Sequence, residues 1–407
     1  MVSSLSILSF DGYYEIDDDT YLSSSCFNGL VCISKKSGEI KVLKKFTVGP
    51  VFSRLLHHKI IKYNDELIFI PNYSHGVHIF NIESKEIDYV LVKKDKWENY
   101  RCVDAIVWNG KLWMIMTYIE NAIVSMDLDS HEIEYHSDVY SPLKSILTNA
   151  NEKVFWTELY KQDYMLYGAV DNKGYVAQIN IKDLSMRLIK IDPENHFVDI
   201  ALSRNKLFMT EYKSKDIVVF DMNSGNHYKI KTKNLNDCTC NEDMYYSNIV
   251  SNNDRVFVIP NCGYDIWEVM DNGLLSYSKL PEGFKDIKED FRSTWKRFYC
   301  TDFKGNIIEL YPNRSNMMIR IDTNNGSCVG HVFDMSPKWL DEEYQIEYVD
   351  EYIKECVDNG SAALEWDGVD FNDWIRALNR MDRKVHKSEN FIVGKEIYKC
   401  IVDTQKR

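Results

Sequence analysis

No apolar run in this chain reaches the ~20 residues that a helix needs to cross a bilayer. The first residues, MVSSLSILSFDGYY, lack the basic start, the long apolar stretch and the small-residue cleavage site of a secretory leader. Positive charge is also scarce: 49 Lys and Arg stand against 62 Asp and Glu, a formal net charge of −13. Such a chain repels a phosphate backbone and an anionic lipid surface, so neither nucleic acid nor membrane is expected as a partner. Closely spaced cysteines are almost missing. The ten Cys are spread along the chain, and Cys32 in LVCIS and Cys400 in IYKCIV sit inside apolar runs, as buried reduced thiols do. A reducing, cytoplasmic location is expected. Only Cys238 and Cys240 stand close together, and with no second pair and no histidine at ligand spacing they make a poor zinc site.

Catalytic signatures are lacking too. There is no Walker loop, no dinucleotide glycine fingerprint, no H-E-x-x-H and no G-x-S-x-G. His57 and His58 adjoin in a strand-like run, where neighbours point to opposite faces and cannot share one metal. His75 and His78 lie three apart across a loop and a strand start, a weak metal pair. No metal and no cofactor are expected.

What the chain does have is material for a core, 44% hydrophobic residues, and many aromatics, 26 Tyr among them. It also repeats itself. LIFIP at 67–71 is followed by the polar NYSHG and then VHIFNIES; VFVIP at 256–260 is followed by NCGYD and IWEVMDNG; IIELYP at 307–312 leads through NRSN into MMIRIDTNNG. Each is an apolar strand, a Pro-Asn corner, a polar loop, a second strand and a turn. Weaker copies open at Leu112, Leu207, Met165 and Tyr21, so the anchors fall at 21, 67, 112, 165, 207, 256 and 307, spaced by 42 to 53 residues. That is close to the ~40–50 residues of a four-stranded propeller blade.

Each unit divides into four strands, A to D. In the second, HKIIKY is A, ELIFIP is B, VHIFNIE is C and EIDYVLV is D, with turn residues such as Asn64-Asp65 and Asn109-Gly110 at A–B corners. The fold expected is all-β: a seven-bladed β-propeller over residues 1–335, with a short α-helical tail over 336–407. Ring closure is expected to place SILSF of the N-terminus beside the strand at 327–333. In the tail, Ile346, Val349, Ile353 and Val357 recur at helical spacing, as do Phe371, Trp374, Ile375 and Leu378. These helices are expected to pack on the side or rim of the propeller.

The unit resembles that of kelch-type and related bacterial β-propeller repeat proteins, in its apolar strand, Ile-Pro corner, polar loop and Ile-x-x-Phe-Asp/Asn-Ile strand. LIFIPNYSHGVHIFNIES and LFMTEYKSKDIVVFDMNSG carry the likeness best, and it covers roughly residues 5–335. Such folds serve many purposes, so the resemblance implies an architecture and leaves the activity to the site.

In a propeller the B–C loops and D–A connections open on one face, around the channel, where a rigid scaffold presents variable groups. The B–C loops supply Asn72, Tyr73, His75, Glu120, Tyr212, Asn261 and Arg314, with Tyr264 and Asn313 beside them. The D–A connections supply Arg101, His196, Arg292, Trp295 and Arg297, with Tyr140, Tyr245 and Tyr246. Aromatic platforms, amides and forked guanidinium donors suit a polar ligand with apolar faces. The expectation is a non-enzymatic binding or scaffold protein that recognises a glycan, peptide or protein. The alternative is a propeller lyase or hydrolase, using Glu120, Glu158 or Glu211 with His75 or His196 as acid and base.

Overall fold

The computed structural model describes residues 10–333, apart from short breaks at 11, 26, 50–52, 54, 99, 148, 150, 156–158, 193–194, 253, 262 and 314 and longer ones at 233–243 and 285–295. The expected tail helices and the Cys238–Cys240 pair lie outside the described residues. Seven antiparallel sheets, each of four strands consecutive in sequence, form a ring. All seven anchors fall on the second strand of successive blades, from Tyr21 in Asp19–Ser23 to Ile307 in Ile307–Pro312. First strands of adjacent blades pack on one another, so strand A is innermost and strand D outermost.

The apolar strands read as continuous runs because both of their faces are covered. In strand B of blade 2 (Glu66–Pro71), Leu67 and Phe69 pack with Tyr21, Leu30 and Phe46 of blade 1. Ile68 and Ile70 alternate to the other side and meet Leu112, Met114 and Met116 of blade 3. Ile217 and Val219 of blade 5 meet Val256 and Val258 of blade 6 in the same way. Full burial of one such side chain contributes about 1.5–3 kcal/mol.

Turn chemistry follows the sequence. Asn64 (φ 49°) closes the A–B corner of blade 2, and Asn109 with Gly110 (φ 52° and 72°) that of blade 3, in the left-handed region these residues tolerate. At C–D turns, the Asp or Asn that ends strand C accepts backbone N–H groups two and three residues on: Asp127 from Asp129 and Ser130, Asp221 from Asn223 and Ser224, Asn81 from Glu83 and Ser84.

One feature departs from the expected plan. The 53-residue spacing between the third and fourth anchors comes from a long D–A connection that contains a 3-10 helix, Ser137–Ser145. It buries Tyr140 completely, with the hydroxyl donating to Met116 O at 2.6 Å. Tyr140 was expected on the open face and is instead a core residue. The closure expected from SILSF falls almost wholly on residues outside the described ones. Residues 5–9 lie outside the described residues, and blades 1 and 7 are each complete in four consecutive strands. Side chains join them: Phe10 packs on Phe333, its ring centroid 5.3 Å away, and Tyr13 is bound to Glu309 of blade 7.

The innermost strand carries a recurring irregularity. In blades 2, 3, 5, 6 and 7 its register shifts by one residue near the start, between His57 and Lys59, Cys102 and Asp104, Phe197 and Asp199, Tyr246 and Asn248, and Phe298 and Thr301. A bulge of this kind re-aims the residues that follow it.

Candidate functional site

The B–C loops and D–A connections of the described blades share one end of the ring, as the strand order requires. Backbone hydrogen bonds fasten them: Asn72 N donates to Leu56 O at 2.8 Å, Thr117 N to Arg101 O at 2.8 Å, Tyr212 N to His196 O at 2.8 Å and Asn261 N to Tyr245 O at 2.9 Å. The loop that leaves strand B is thereby held against the residue that enters strand A of the same blade.

Within this frame the expected residues separate into exposed and consumed groups. Arg101 Nε donates to Asn72 Oδ1 at 2.9 Å, and its guanidinium lies 5.7 Å from the centroid of Tyr73, which is 47% exposed. Asn72 itself is buried, so the blade 2 loop fixes the blade 3 guanidinium while the Tyr73 ring stays open to solvent. Across the ring, His196 and Tyr212 face each other at 6.2 Å, with the Lys213 ammonium 5.4 Å from the Tyr212 ring. Tyr264 is 53% exposed. His75 packs edge-on against Tyr100 at 5.9 Å; burial, helped by Lys93, keeps its imidazole more easily deprotonated than usual. Glu120 is half-buried in the blade 3 loop.

Asn261 and Arg297 are spent on architecture. Asn261 Oδ1 accepts from Arg297 N at 2.7 Å and from Ser247 Oγ at 2.9 Å, and its amide donates to Met244 O at 3.1 Å. Arg297 is buried, and its Nη1 donates to Gly263 O at 2.6 Å. In the Pro-Asn corners of blades 2 and 6 the Asn side-chain oxygen accepts from the Arg that precedes strand A of the next blade, Asn72 from the Arg101 side chain and Asn261 from the Arg297 backbone. Tyr246 is buried with its hydroxyl on Lys215 O at 2.8 Å. Glu211 is buried and paired with Lys229 at 2.9 Å. Arg292, Trp295, Arg314 and Glu158 lie outside the described residues.

The sequence reading missed three groupings. The first is the channel mouth. The bulged first strands bring Lys59, Asp104, Asp199 and Asn248 toward the axis, and a cavity of about 260 Å³ there is lined by Lys59, Tyr160, Lys161, Asp199, Asn248 and Phe303, from five blades. Asp104 accepts from Ala105 N at 2.7 Å, Leu159 N at 3.2 Å and Lys161 Nζ at 2.7 Å. Asp199 repeats the arrangement with Ile200 N at 3.0 Å, Ile249 N at 3.2 Å and Lys296 Nζ at 3.2 Å. Each carboxylate therefore staples its own strand A to that of the following blade. A Lys or Asp in the third place of strand A was visible in the sequence, but the bulge that turns it inward was not.

The second is a buried chain between blades 1 and 2. Ser23 Oγ and His57 Nδ1 are 2.8 Å apart, and His57 Nε2 and His78 Nδ1 are also 2.8 Å apart. His78 therefore partners His57 rather than His75. The third is Asp171 in the blade 4 B–C loop. Burial raises its pKa, while Lys153, then His196, oppose that shift. Among the described residues, no group of three or more His, Cys, Asp or Glu is placed to hold a metal ion.

No known protein family matches the chain, and no curated protein matches it. Solved structures similar to it include BamB from Moraxella catarrhalis, at 10% identity and a TM-score of 0.45 over 75% of this chain and 82% of that one. The WD40 repeats of RRP9 are similar at 11% identity and a TM-score of 0.48, over 74% and 87%. The Pan2 WD40 domain of Neurospora crassa is similar at 12% identity and a TM-score of 0.46, over 76% and 86%. The chain's own seven four-stranded sheets make it a seven-bladed β-propeller.

Proposed function

We propose that this chain is a non-enzymatic binding or scaffold propeller, kelch-like in its repeat unit, that recognises a glycan, peptide or protein through the face of B–C loops and D–A connections. The observation that carries the reading is the Asn72–Arg101–Tyr73 group. A buried amide fixes a guanidinium beside an exposed aromatic ring, so both are held in place before any ligand arrives. Rigid aromatic and guanidinium anchors lose little entropy on binding and dominate recognition surfaces. A reducing, cytoplasmic setting belongs to the proposal. Cys32, Cys102 and Cys328 are unpaired thiols, and burial is the main cause holding each protonated, Cys32 and Cys328 up to about 11.

The test is binding of the full chain to glycan and peptide arrays, with Tyr73→Ala and Arg101→Ala beside it. Loss of binding in both, with folding intact, is the expected result. Unchanged binding in both, with loss on Lys182→Ala at a C–D turn of the opposite face, overturns the reading. The lyase or hydrolase alternative has one observation in its favour, the acid-raised Asp171 near His196. Turnover of a bound glycan that Asp171→Asn abolishes would establish it.

A further inference from the structure

We propose that the Asn72–Arg101–Tyr73 group takes a uronate, the acidic sugar unit of a glycan, with Arg101 gripping its carboxylate while the sugar ring lies on Tyr73. The inference rests on the reading of the loop face as a recognition surface and names the ligand class for it.

The hydrogen bonds of the guanidinium lead to it. Arginine carries five N–H donors in one plane. Arg101 gives its Nε donor to Asn72 Oδ1 at 2.9 Å, and Asn72 is buried. Among the described residues, no carboxylate pairs with Arg101 and no acceptor meets its Nη1 or Nη2. Other arginines of the ring are engaged by the fold. Arg204, Arg255 and Arg320 pair with Asp254, Glu268 and Glu309, and Arg297 donates to Gly263 O. In Arg101 one nitrogen fixes the plane, and the two-pronged end that fits a planar carboxylate is left to a ligand. Arg101 is half-buried, so an arriving anion meets a cation already oriented, and little ordering remains to be done.

The surroundings select the rest of the ligand. The Tyr73 centroid lies 5.7 Å from the guanidinium, and the ring is 47% exposed. Tyr118, half-buried in the blade 3 loop, adds a hydroxyl. Burial raises the pKa of that hydroxyl, Arg101 opposes the shift and Tyr73 adds to it, so both lie within electrostatic reach of Tyr118. A sugar laid flat on Tyr73 offers its C–H face to the aromatic ring, as an apolar surface that keeps its polar rim in water. The carboxyl group of a uronate projects sideways from such a ring, toward the guanidinium. An acidic peptide side chain has no flat face for Tyr73 and carries its acid on a flexible stem. One guanidinium in a chain of net charge −13 balances a monoanion, whereas a phosphate dianion brings a second negative charge against the field of the chain.

The experiment is calorimetric titration of the full chain with oligosaccharides of galacturonate, glucuronate and mannuronate, with their methyl esters and with the neutral parent sugars. Esterification keeps the ring and removes the charge without altering the protein. Wild type is expected to bind at least one uronate series and to bind its ester roughly 10- to 100-fold more weakly. Arg101→Gln is expected to weaken the acid by the same factor and to leave the ester unchanged; Arg101→Lys keeps the charge without the fork and recovers only part. Tyr73→Ala should weaken acid and ester alike, by about 3- to 10-fold, and Tyr73→Phe should retain both. Circular dichroism checks the fold of each variant. Equal binding of acid and ester overturns the inference, as does binding of no uronate series. Tighter binding of sulfated sugars or acidic peptides than of uronates overturns it too, as does uronate binding that neither Arg101→Gln nor Tyr73→Ala weakens. If neutral glycans or peptides bind instead and Arg101→Ala and Tyr73→Ala abolish that binding, the uronate assignment falls and the recognition face stands. If binding of every kind survives both substitutions and is lost in Lys182→Ala, the face itself falls.

Discussion

The hydroxyl of Tyr13 donates a 2.7 Å hydrogen bond to Glu309 Oε1 across 296 residues of sequence. Lys304 Nζ and Arg320 Nη2 donate to the same hydroxyl at 2.8 and 2.7 Å, and both also pair with Glu309. Strand A of blade 1 is thus bound to strands A, B and C of blade 7. The ring is fastened at its seam by a polar cluster, with the rings of Phe10 and Tyr311 packed around Tyr13.

The seam can be weakened selectively. Tyr13→Phe keeps the ring packing and removes the shared hydroxyl, for a loss of about 1 kcal/mol. Glu309→Ala leaves two cations facing each other at the seam and is expected to cost about 2–3 kcal/mol, less than a fully buried pair because Lys304 and Arg320 are nearly half exposed. Urea midpoints measure both losses. Hydrogen exchange should rise first in blades 1 and 7, and an even rise around the ring would show that the cluster is not the closure.

The inter-blade core makes a harsher demand. Ile70 has no solvent exposure and packs against blade 3. Ile70→Asp places a carboxylate there without a partner, at a cost of several kcal/mol against a net stability of about 5–15. The variant is expected in the insoluble fraction, whereas Ile70→Val loses about 1 kcal/mol and stays soluble. Normal expression of Ile70→Asp with an unchanged Tm would contradict the packing described.

Acid should loosen the protein from the blade 1–blade 2 interface outward. Burial lowers His57 well below the ordinary histidine range, with His78 adding to the shift; it takes His58 down to about 3 and His78 to about 4. Unfolded, each titrates near 6.5. Between those values the unfolded chain binds more protons than the folded one, so stability rises with pH across that window. The contribution is complete above about pH 6.5 and is lost as pH falls toward the folded values. Each histidine gives up roughly 2 kcal/mol by pH 5. Urea midpoints at pH 7.5, 6 and 5 should fall in order, and His78→Gln should flatten the slope by about a third.

Two arginines that look alike in sequence should behave differently. Arg101→Ala removes an exposed-face contact and is expected to change stability by less than about 1 kcal/mol. Arg297→Ala empties a buried position that bridges to Gly263 O, with an expected loss of about 2–3 kcal/mol. Parallel denaturation curves for the two variants decide the point; similar losses would mean that Arg101 is architectural as well.

The repeat was legible in the residues because its signals are local. Strands that alternate two covered faces must be apolar throughout, so LIFIP and VFVIP announce themselves, and turns that need φ above zero select Asn, Asp and Gly. A unit of this period must stack to cover both faces, which is enough to give blade number, strand order and the face where the loops meet. Asn72, Tyr73, Arg101, His196 and Tyr212 lie in the B–C loops and D–A connections that this strand order brings to one end of the ring.

Which of those residues are available was decided only in three dimensions. Asn72 and Asn261 follow identical Ile-Pro steps, yet one orients an arginine beside an open ring and the other locks a buried arginine backbone, because neighbouring blades differ. The partners His57–His78, Tyr13–Glu309 and Lys296–Asp199 lie 21, 296 and 97 residues apart, with no spacing rule between them. The charged mouth depends on a bulge that leaves no mark in residue type: it is a one-residue slip in pairing, and it exchanges the face on which every following side chain falls. Local sequence fixes the blade; the closing of seven blades around one axis determines which charges meet.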